Sequence, residues 1–335
     1  MYTIIDQNTS QMKIIKVILL NLFIFLIMVG AIPTGQETPK IVHTYVIISP
    51  YGYNTLDTYI TDGIKSILQE NYKSKRLYEL KIMTLYLNNN TTNSINKECI
   101  NKINNIKPHC IFISNCVLYE EIANKLFEFP IYYLNYNSEY NNNSGNYITY
   151  TIDLTKLKRV INLMGISLNK YYILRNGDRK NSFNLSKLYI NALHESFPNA
   201  QIEIKECRDV ISMREQLKAI NKEPMGMIVL SFRTIVNEVG DYITENDIVK
   251  EIMIINNKHL ELGFDELTNN GLLFSCSPTF KDIGKQLCID YLNNKKGNLT
   301  TLPSKLSLNY DRLKHLHNID YTKNVDFFNY IDKLN

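Results

Sequence analysis

The sequence predicts an α/β protein made of two Rossmann-like, doubly wound lobes. Three observations carry that prediction. Short apolar runs of strand length recur and stop on Ser, as in Tyr45–Ile48 before Ser49, Cys110–Ile113 before Ser114 and Met227–Leu230 before Ser231. Such runs lack polar/apolar alternation, which suits strands buried on both faces of a parallel sheet. Helical periodicity follows nearly every run, and the alternation is interrupted once, by the Asn/Ser/Gly-rich stretch 137–146, before it restarts.

In the first half, the opening strand lies within 41–49 and ends at Pro50, which cannot donate to a sheet ladder. Leu56, Tyr59, Ile60, Ile64, Ile67 and Leu68 then fall at three- and four-residue spacing and predict an amphipathic helix. Strands are expected at 80–87, 110–114 and 130–135, with helices at 95–106, stopped near Pro108, and at 118–127. An extended segment at 147–152 closes this half. The second half is expected to run helix 154–168, strand 170–174, helix 182–196, an edge-like alternating strand 201–205, helix 212–220 and strand 226–231. After it come helix 247–256, strand 259–264, a turn at 268–271, strand 272–275, a helix opening after Pro278 and closed by Gly297, and a tail with a helix at 309–316.

The N-terminal stretch reads differently. Met12-Lys-Ile-Ile-Lys16 precedes an almost wholly apolar run, Val17–Val29, and then Gly30-Ala31. A basic start, a short apolar core and the small residues Gly30-Ala31, with Val29 and Ala31 suiting the positions three and one before a cut, make residues 1–31 a secretory signal peptide or, if retained, an N-terminal anchor. Met12 reads as an alternative start. A formal net charge of +4 is too mild to argue for a nucleic-acid partner. The six cysteines include no C-x-x-C pair, and Cys110 and Cys276 fall in apolar runs, where a buried free thiol is expected.

Taken together and in order, several pieces resemble the extracytoplasmic substrate-binding proteins of ABC transporters with the type I periplasmic-binding-protein fold, in the uncharacterised ABC substrate-binding branch. They are the signal segment, Tyr45-Val-Ile-Ile-Ser-Pro-Tyr51, Asp62-Gly63, Ile106-Lys-Pro-His-Cys-Ile-Phe-Ile113, Phe129-Pro-Ile131, Asp153-Leu154, Gly271-Leu-Leu, Ile283-Gly-Lys-Gln, Tyr291-Leu-Asn-Asn-Lys-Lys-Gly297, Leu302-Pro303 and Leu308-Asn-Tyr310. The resemblance spans residues 40–321. The chain departs from it in carrying Asn115 and Cys116 after the third strand and in a Gly-poor second half. What it implies is two lobes joined by a multi-strand hinge, with crossings near 147–153, 275–279 and 298–307. Lobe one would then be 41–149 plus the helix at 279–297, and lobe two 153–275 plus the tail 303–335.

Ligands of doubly wound sheets sit outside the carboxyl ends of the strands. The candidate ligand-binding residues are therefore Ser49, Tyr51, Tyr53, Asn115, Cys116, Tyr136, Asn176, Ser231, Phe232 and Arg233, with Phe264 and Ser275 at later strands. Hydroxyls and amides can fix a polar solute, aromatic rings can stack on it, and Arg233 can take a carboxylate with two parallel bonds. Each of these is equally readable as a cap or loop residue. His315-Leu-His317 places two imidazoles on different helix faces, and Glu120-Glu121 reads as a solvated face. No nucleophile elbow, zinc-protease motif or phosphate-binding Gly loop is present, so no catalytic residue, cofactor or metal is expected. What the resemblance implies is capture of a small polar ligand for ABC permease subunits, an amino acid or another small carboxylate given Arg233. The alternatives are a membrane-tethered sensor of the same fold and an α/β transferase.

Overall fold

The computed structural model describes residues 40–49, 56–75, 77–86, 94–114, 116–136, 145–177, 180–233 and 235–317. The expected signal segment and the tail beyond 317 lie outside them. The chain divides into two compact units. The smaller comprises Met1–Ile41 with Arg76–Glu79, and within it the Ile41 N–H donates to the Leu77 carbonyl at 2.8 Å. The larger comprises Val42–Lys75 and Leu80–Asn335 and holds the second sheet, all of the first except Ile41 and Tyr78–Glu79, and the site.

The chain runs β1 (Ile41–Ser49), α1 (Leu56–Lys73), β2 (Tyr78–Tyr86), α2 (Ser94–Ile106), β3 (Cys110–Ile113), α3 (Cys116–Ile122), a 3-10 turn (Ala123–Lys125), β4 (Ile131–Asn135) and β5 (Asn146–Thr149). It continues as α4 (Thr155–Leu163), β6 (Lys170–Arg175), α5 (Lys180–Ser196), β7 (Gln201–Glu206), α6 (Val210–Ile220), β8 (Met227–Leu230), α7 (Glu245–Ile255) and β9 (Leu260–Gly263). It ends as α8 (Asp265–Asn269), β10 (Phe274–Ser277), α9 (Phe280–Leu292), β11 (Lys305–Leu308) and α10 (Tyr310–His317).

Two separate sheets form. The first has strand order β2-β1-β3-β4-β5, and the second β7-β6-β8-β9-β10 with β11 added beyond β10. The two orders are the same pattern used twice, with each sheet winding outward from its first strand in both directions. Pairing is parallel from β1 through β3 and β4 to β5, and from β7 through β6, β8 and β9 to β10; β11 is antiparallel to β10. Tyr45–Ile48, Cys110–Ile113, Tyr171–Leu174 and Met227–Leu230 are fully buried, as continuous apolar runs in a two-sided sheet must be. The alternating β7 is indeed an edge strand, where partial exposure is tolerated.

The chain passes between the sheets three times. It leaves the first sheet after β5 and enters α4 beside the second. It returns after β10 through Pro278-Thr279 into α9, which packs against α1 and β4. It crosses again over 298–304, where the Leu299 N–H donates to Tyr147 O at 2.8 Å and Thr151 Oγ1 to Leu302 O at 3.1 Å, and then joins the second sheet as β11.

Several elements differ from expectation. The turn expected at 268–271 is preceded by a helix, α8, too short to show periodicity. The strand expected at 272–275 is β10, two residues later, because Leu272 and Leu273 close the α8 corner, with the Leu272 N–H on Leu267 O at 3.0 Å. α3 starts directly at Cys116 and ends in a 3-10 turn rather than running to Phe127. α4 stops by Leu163, and Gly165 just beyond it has φ +68, the left-handed conformation that ends a helix.

The contact of α1 with α9 fixes the returning helix to the first sheet. Gly63 and Gly284 face the opposing backbone. A Cβ on Gly63 would fall on the Lys281 carbonyl oxygen and lie 2.9 Å from the Lys285 nitrogen. A Cβ on Gly284 would fall on the Ile60 carbonyl oxygen and lie 3.0 Å from Ile60 Cα. Backbone cannot yield as a flexible side chain does, so either Gly→Ala substitution forces the helices apart. Gly63→Ala and Gly284→Ala are each expected to cost about 2 kcal/mol or more, read as a lower urea midpoint at unchanged slope. Wild-type stability in both variants would refute the close approach.

Candidate functional site

The carboxyl ends of the strands of one sheet face those of the other. From the first sheet come Ser49 at the end of β1, Ser114 after β3 and Tyr136 after β4; from the second come Asn176 after β6, Ser231-Phe232-Arg233 after β8 and Phe264 after β9. All of these are buried. Each loop is held by its own short-range bonds. Ser231 Oγ donates to Leu174 O at 2.9 Å, and Ser182 Oγ donates to Ser231 O at 3.0 Å while accepting the Asn176 N–H at 2.8 Å. These bonds staple the β6 and β8 loops together and aim Arg233 at the other lobe.

Arg233 crosses to the first lobe and forms an ion pair with Asp57 in the opening turn of α1. Its Nη1 also donates to the Ser114 carbonyl at 3.2 Å. Asp57 is 1% exposed and Arg233 3%. The carboxylate is held from its own side as well: Ser49 Oγ and Ser114 Oγ both donate to Oδ2 at 2.8 Å, leaving Oδ1 toward the guanidinium. The Arg233 guanidinium sits 4.6 Å from the Phe280 ring centre and 5.5 Å from that of Tyr136, an aromatic sleeve that favours a delocalised cation.

Other contacts join the lobes around this pair. Tyr59 Oη donates to Glu245 Oε1 at 2.8 Å, and Lys180 Nζ donates to Glu120 Oε2 at 2.5 Å. Glu120 thus bridges lobes instead of only meeting solvent. Tyr150, Phe264 and Phe280 pack ring to ring, with centres 5.3 to 6.3 Å apart. Glu266 of α8 accepts the Phe280 N–H on Oε1 at 2.7 Å; its buried Oε2 has no hydrogen-bond partner among the described residues. Burial pushes the Glu266 carboxyl up to about 7, opposed by its bonds to backbone N–H groups and by Arg233.

The structure brings Ser49, Tyr136, Asn176, Ser231, Phe232, Arg233 and Phe264 to the facing rims. Cys116 is there too, buried at the start of α3, with Asn184 Nδ2 4.0 Å from its sulfur. Tyr51, Tyr53 and Asn115 lie outside the described residues. Ser275 is inside β10, not at its end, and Ser277 ends the strand; Ser275 Oγ donates to Asp265 Oδ1 at 3.1 Å. Sequence reasoning missed Asp57, Ser114 and Glu266. The available signal for Asp57 was an acidic residue in the first turn of the helix that follows the first strand-end loop. All six cysteines are buried and free, and burial raises every thiol, Cys99 to about 11 and Cys207 and Cys288 to about 12, so none is an activated nucleophile. No group of three metal-ligating side chains occurs among the described residues, and no helix there is long and apolar enough to cross a membrane.

No family model and no curated protein matches the sequence. Solved structures do match. The ABC domain from Streptococcus pneumonia in complex with L-Trp is 11% identical, with TM-score 0.61, covering 87% of this chain and 98% of that one. A LacI family transcriptional regulator from Enterococcus faecalis with bound ribose is 13% identical, with TM-score 0.57, covering 79% and 96%. An open, ligand-free substrate-binding protein with adhesive properties from Clostridium difficile is 13% identical, with TM-score 0.53, covering 84% and 97%. The chain has the type I periplasmic-binding-protein fold. Arg233 and Asp57 meet between the two lobes, and the chain crosses from one lobe to the other near Tyr150, Pro278 and Leu299.

Two outcomes test this site. Removing one member of the buried pair strands the other, so Asp57→Asn or Arg233→Met alone should cost about 3–5 kcal/mol in urea unfolding, while the double variant should recover most of that loss. Additive losses would mean that the two groups do not interact. Glu266 has a raised folded pKa, so its contribution is fully present below about 4.5 and is lost as pH rises through about 7. Glu266→Gln keeps an acceptor for the Phe280 N–H and removes that loss. Its melting temperature should therefore gain on wild type between pH 5 and pH 8, by up to about 3 kcal/mol in stability. A pH-independent difference would place the Glu266 carboxyl in water.

Proposed function

We propose that the chain is a solute-binding protein that holds a small polar ligand between its two lobes and releases it unchanged. The observation that carries this reading is the pair of like-wound sheets with their strand ends opposed, lined by hydroxyl, amide, aromatic and guanidinium groups. Such a ligand touches both lobes only when they are closed, so binding shifts the open–closed population through hinge segments that need little rearrangement. The described rim has no activated nucleophile, and its Asp57 and Arg233 are engaged with one another, which supports binding without reaction. A basic, apolar, small-residue N-terminal segment supports export, with an ABC importer as the receiving partner.

A second reading is favoured by one observation: a regulator with bound ribose shares the fold. The same lobe pair would then report a ligand to a partner instead of delivering it, and a retained N-terminal anchor would suit that role.

The test is a thermal-shift panel of amino acids, sugars and nucleosides on the purified chain. A ligand of the native state at one hundred times its Kd adds about 2.7 kcal/mol and raises the melting temperature. A flat response across all three classes would count against both readings.

A further inference from the structure

We propose that the edge of the first sheet at which its parallel strands begin is a docking surface for an anionic lipid bilayer. The fold gathers this edge from segments far apart in sequence. Lys107 precedes β3, and Lys125 and Phe127 precede β4. α1 ends at the same edge with Lys73 and then Lys75, its Tyr72 hydroxyl 2.7 Å from Nδ1 of His43 near the start of β1. The exit of α9, with Lys296, is held there too: the Tyr132 hydroxyl donates to Lys295 O at 2.7 Å, and the Gly297 N–H to Asn146 Oδ1 at 3.0 Å. All five of these lysines are exposed, and among the described residues none forms an ion pair. Lys295 beside them does, with the buried Asp290 at 3.0 Å, and adds no free charge. The exposed carboxylates of the larger unit at this edge are Glu70 and Glu128. Charge is balanced differently in the second lobe, where Lys170, Lys205 and Lys250 each pair with a carboxylate. The mild net charge of the whole chain is therefore concentrated on one edge of one lobe.

The edge also carries an apolar point. Phe127 is 78% exposed and rims a cavity of about 300 Å³ with Lys107, Lys125, Glu128 and Phe129. Lys107 ends α2 at φ +50, a left-handed conformation that glycine adopts more easily, so a charged side chain stands where the backbone favours none. Lysines around one exposed ring suit a bilayer interface: the ammonium groups meet the headgroup phosphates, and the ring enters the acyl boundary beneath them. Connectivity favours a bilayer over a soluble acidic partner. The chain enters β1 at this edge, and only residues 30–40 separate β1 from the apolar run that ends at Val29. A retained anchor would hold the edge within about 40 Å of the bilayer. The cleft lies at the opposite ends of the strands, so docking leaves it open to solute.

The experiment is co-sedimentation of the full chain with vesicles of phosphatidylcholine alone or with roughly one third phosphatidylglycerol. The expected result is at least about tenfold tighter binding to the anionic vesicles, a preference lost at about 1 M salt. Lys107→Gln combined with Lys125→Gln should weaken binding to the anionic vesicles about 25-fold, or about fivefold for each charge removed. Lys218→Gln combined with Lys222→Gln, at exposed positions of the second lobe, should leave it unchanged. Phe127→Ala should weaken binding to both kinds of vesicle. Equal affinity for the two vesicles would assign binding to the N-terminal apolar run and overturn the surface. Absence of binding, or an equal loss in the second-lobe pair, would overturn it as well. None of these outcomes bears on solute binding, which the thermal-shift panel tests separately.

Discussion

A carboxylate from one lobe and a guanidinium from the other meet where the two sheets face each other, and the rest of the site is arranged around their burial. Neither charge is tolerable alone at 1–3% exposure. The surroundings supply what water would: two serine hydroxyls and the guanidinium on Asp57, and a carbonyl and two aromatic rings around Arg233. Ser49 and Ser114 end their strands with hydroxyls instead of apolar side chains. That choice has a physical reason, because both strand ends abut the same carboxylate.

The pair can act between lobes only if each lobe is firm. In the first lobe that firmness comes from α9, a helix that follows the second sheet in sequence and packs on the first in space. Its approach to α1 is close enough that Gly63 and Gly284 tolerate no side chain. α1 also carries Asp57 in its opening turn, so the glycine contact positions the carboxylate. In the second lobe, Arg312 of α10 pairs with the buried Glu261 of β9, Nε to Oε2 at 3.2 Å and Nη2 to Oε1 at 2.5 Å, and Asn256 Nδ2 donates to Oε1 at 2.6 Å. That network ties the last described helix to the middle of the second sheet and gives its one buried strand carboxylate a partner.

Much of this architecture was legible in the sequence because parallel strands buried on both faces leave a strong signal. Tyr45–Ile48 and Met227–Leu230 could hardly be anything else once the helices between them were periodic. The division into two α/β halves followed from the break at 137–146 and the restart, but the shared strand order of the two sheets was not legible. Short elements were less legible: α8 is five residues, below any periodicity, and β10 was read two residues early because Leu272-Leu273 is as apolar as the strand it precedes. In the site, strand-end loops were predictable by position, so Ser49, Ser231 and Arg233 could be named. Their partners could not. An Arg expected to receive a ligand's carboxylate receives one from Asp57, and nothing in a one-dimensional pattern links residue 57 to residue 233. Ser114 was recognised as a strand end but not as a donor, since its acceptor is equally remote.

The contacts that hold the lobes together are unequal, and their inequality bears on how the cleft works. The aromatic group of Tyr150, Phe264 and Phe280 lies next to two of the crossing segments, where a hinge rotation displaces atoms least. Lys180–Glu120 sits at an exposed rim, with its lysine 59% exposed, and pairs of that kind contribute between nothing and about 1 kcal/mol. Tyr59–Glu245 is partly buried and joins two helices that can each return to water. Asp57–Arg233 differs from these in that opening would exchange a fully desolvated pair for two hydrated ions. Its Coulombic loss and hydration gain are both large and nearly offset each other. If the lobes open as the proposed solute-binding role requires, a balance of that kind would keep the two states close in free energy, and a ligand would need only a modest differential affinity to shift them. A hinge closed by apolar contact alone would lack this property, because burying more carbon surface only deepens the closed state.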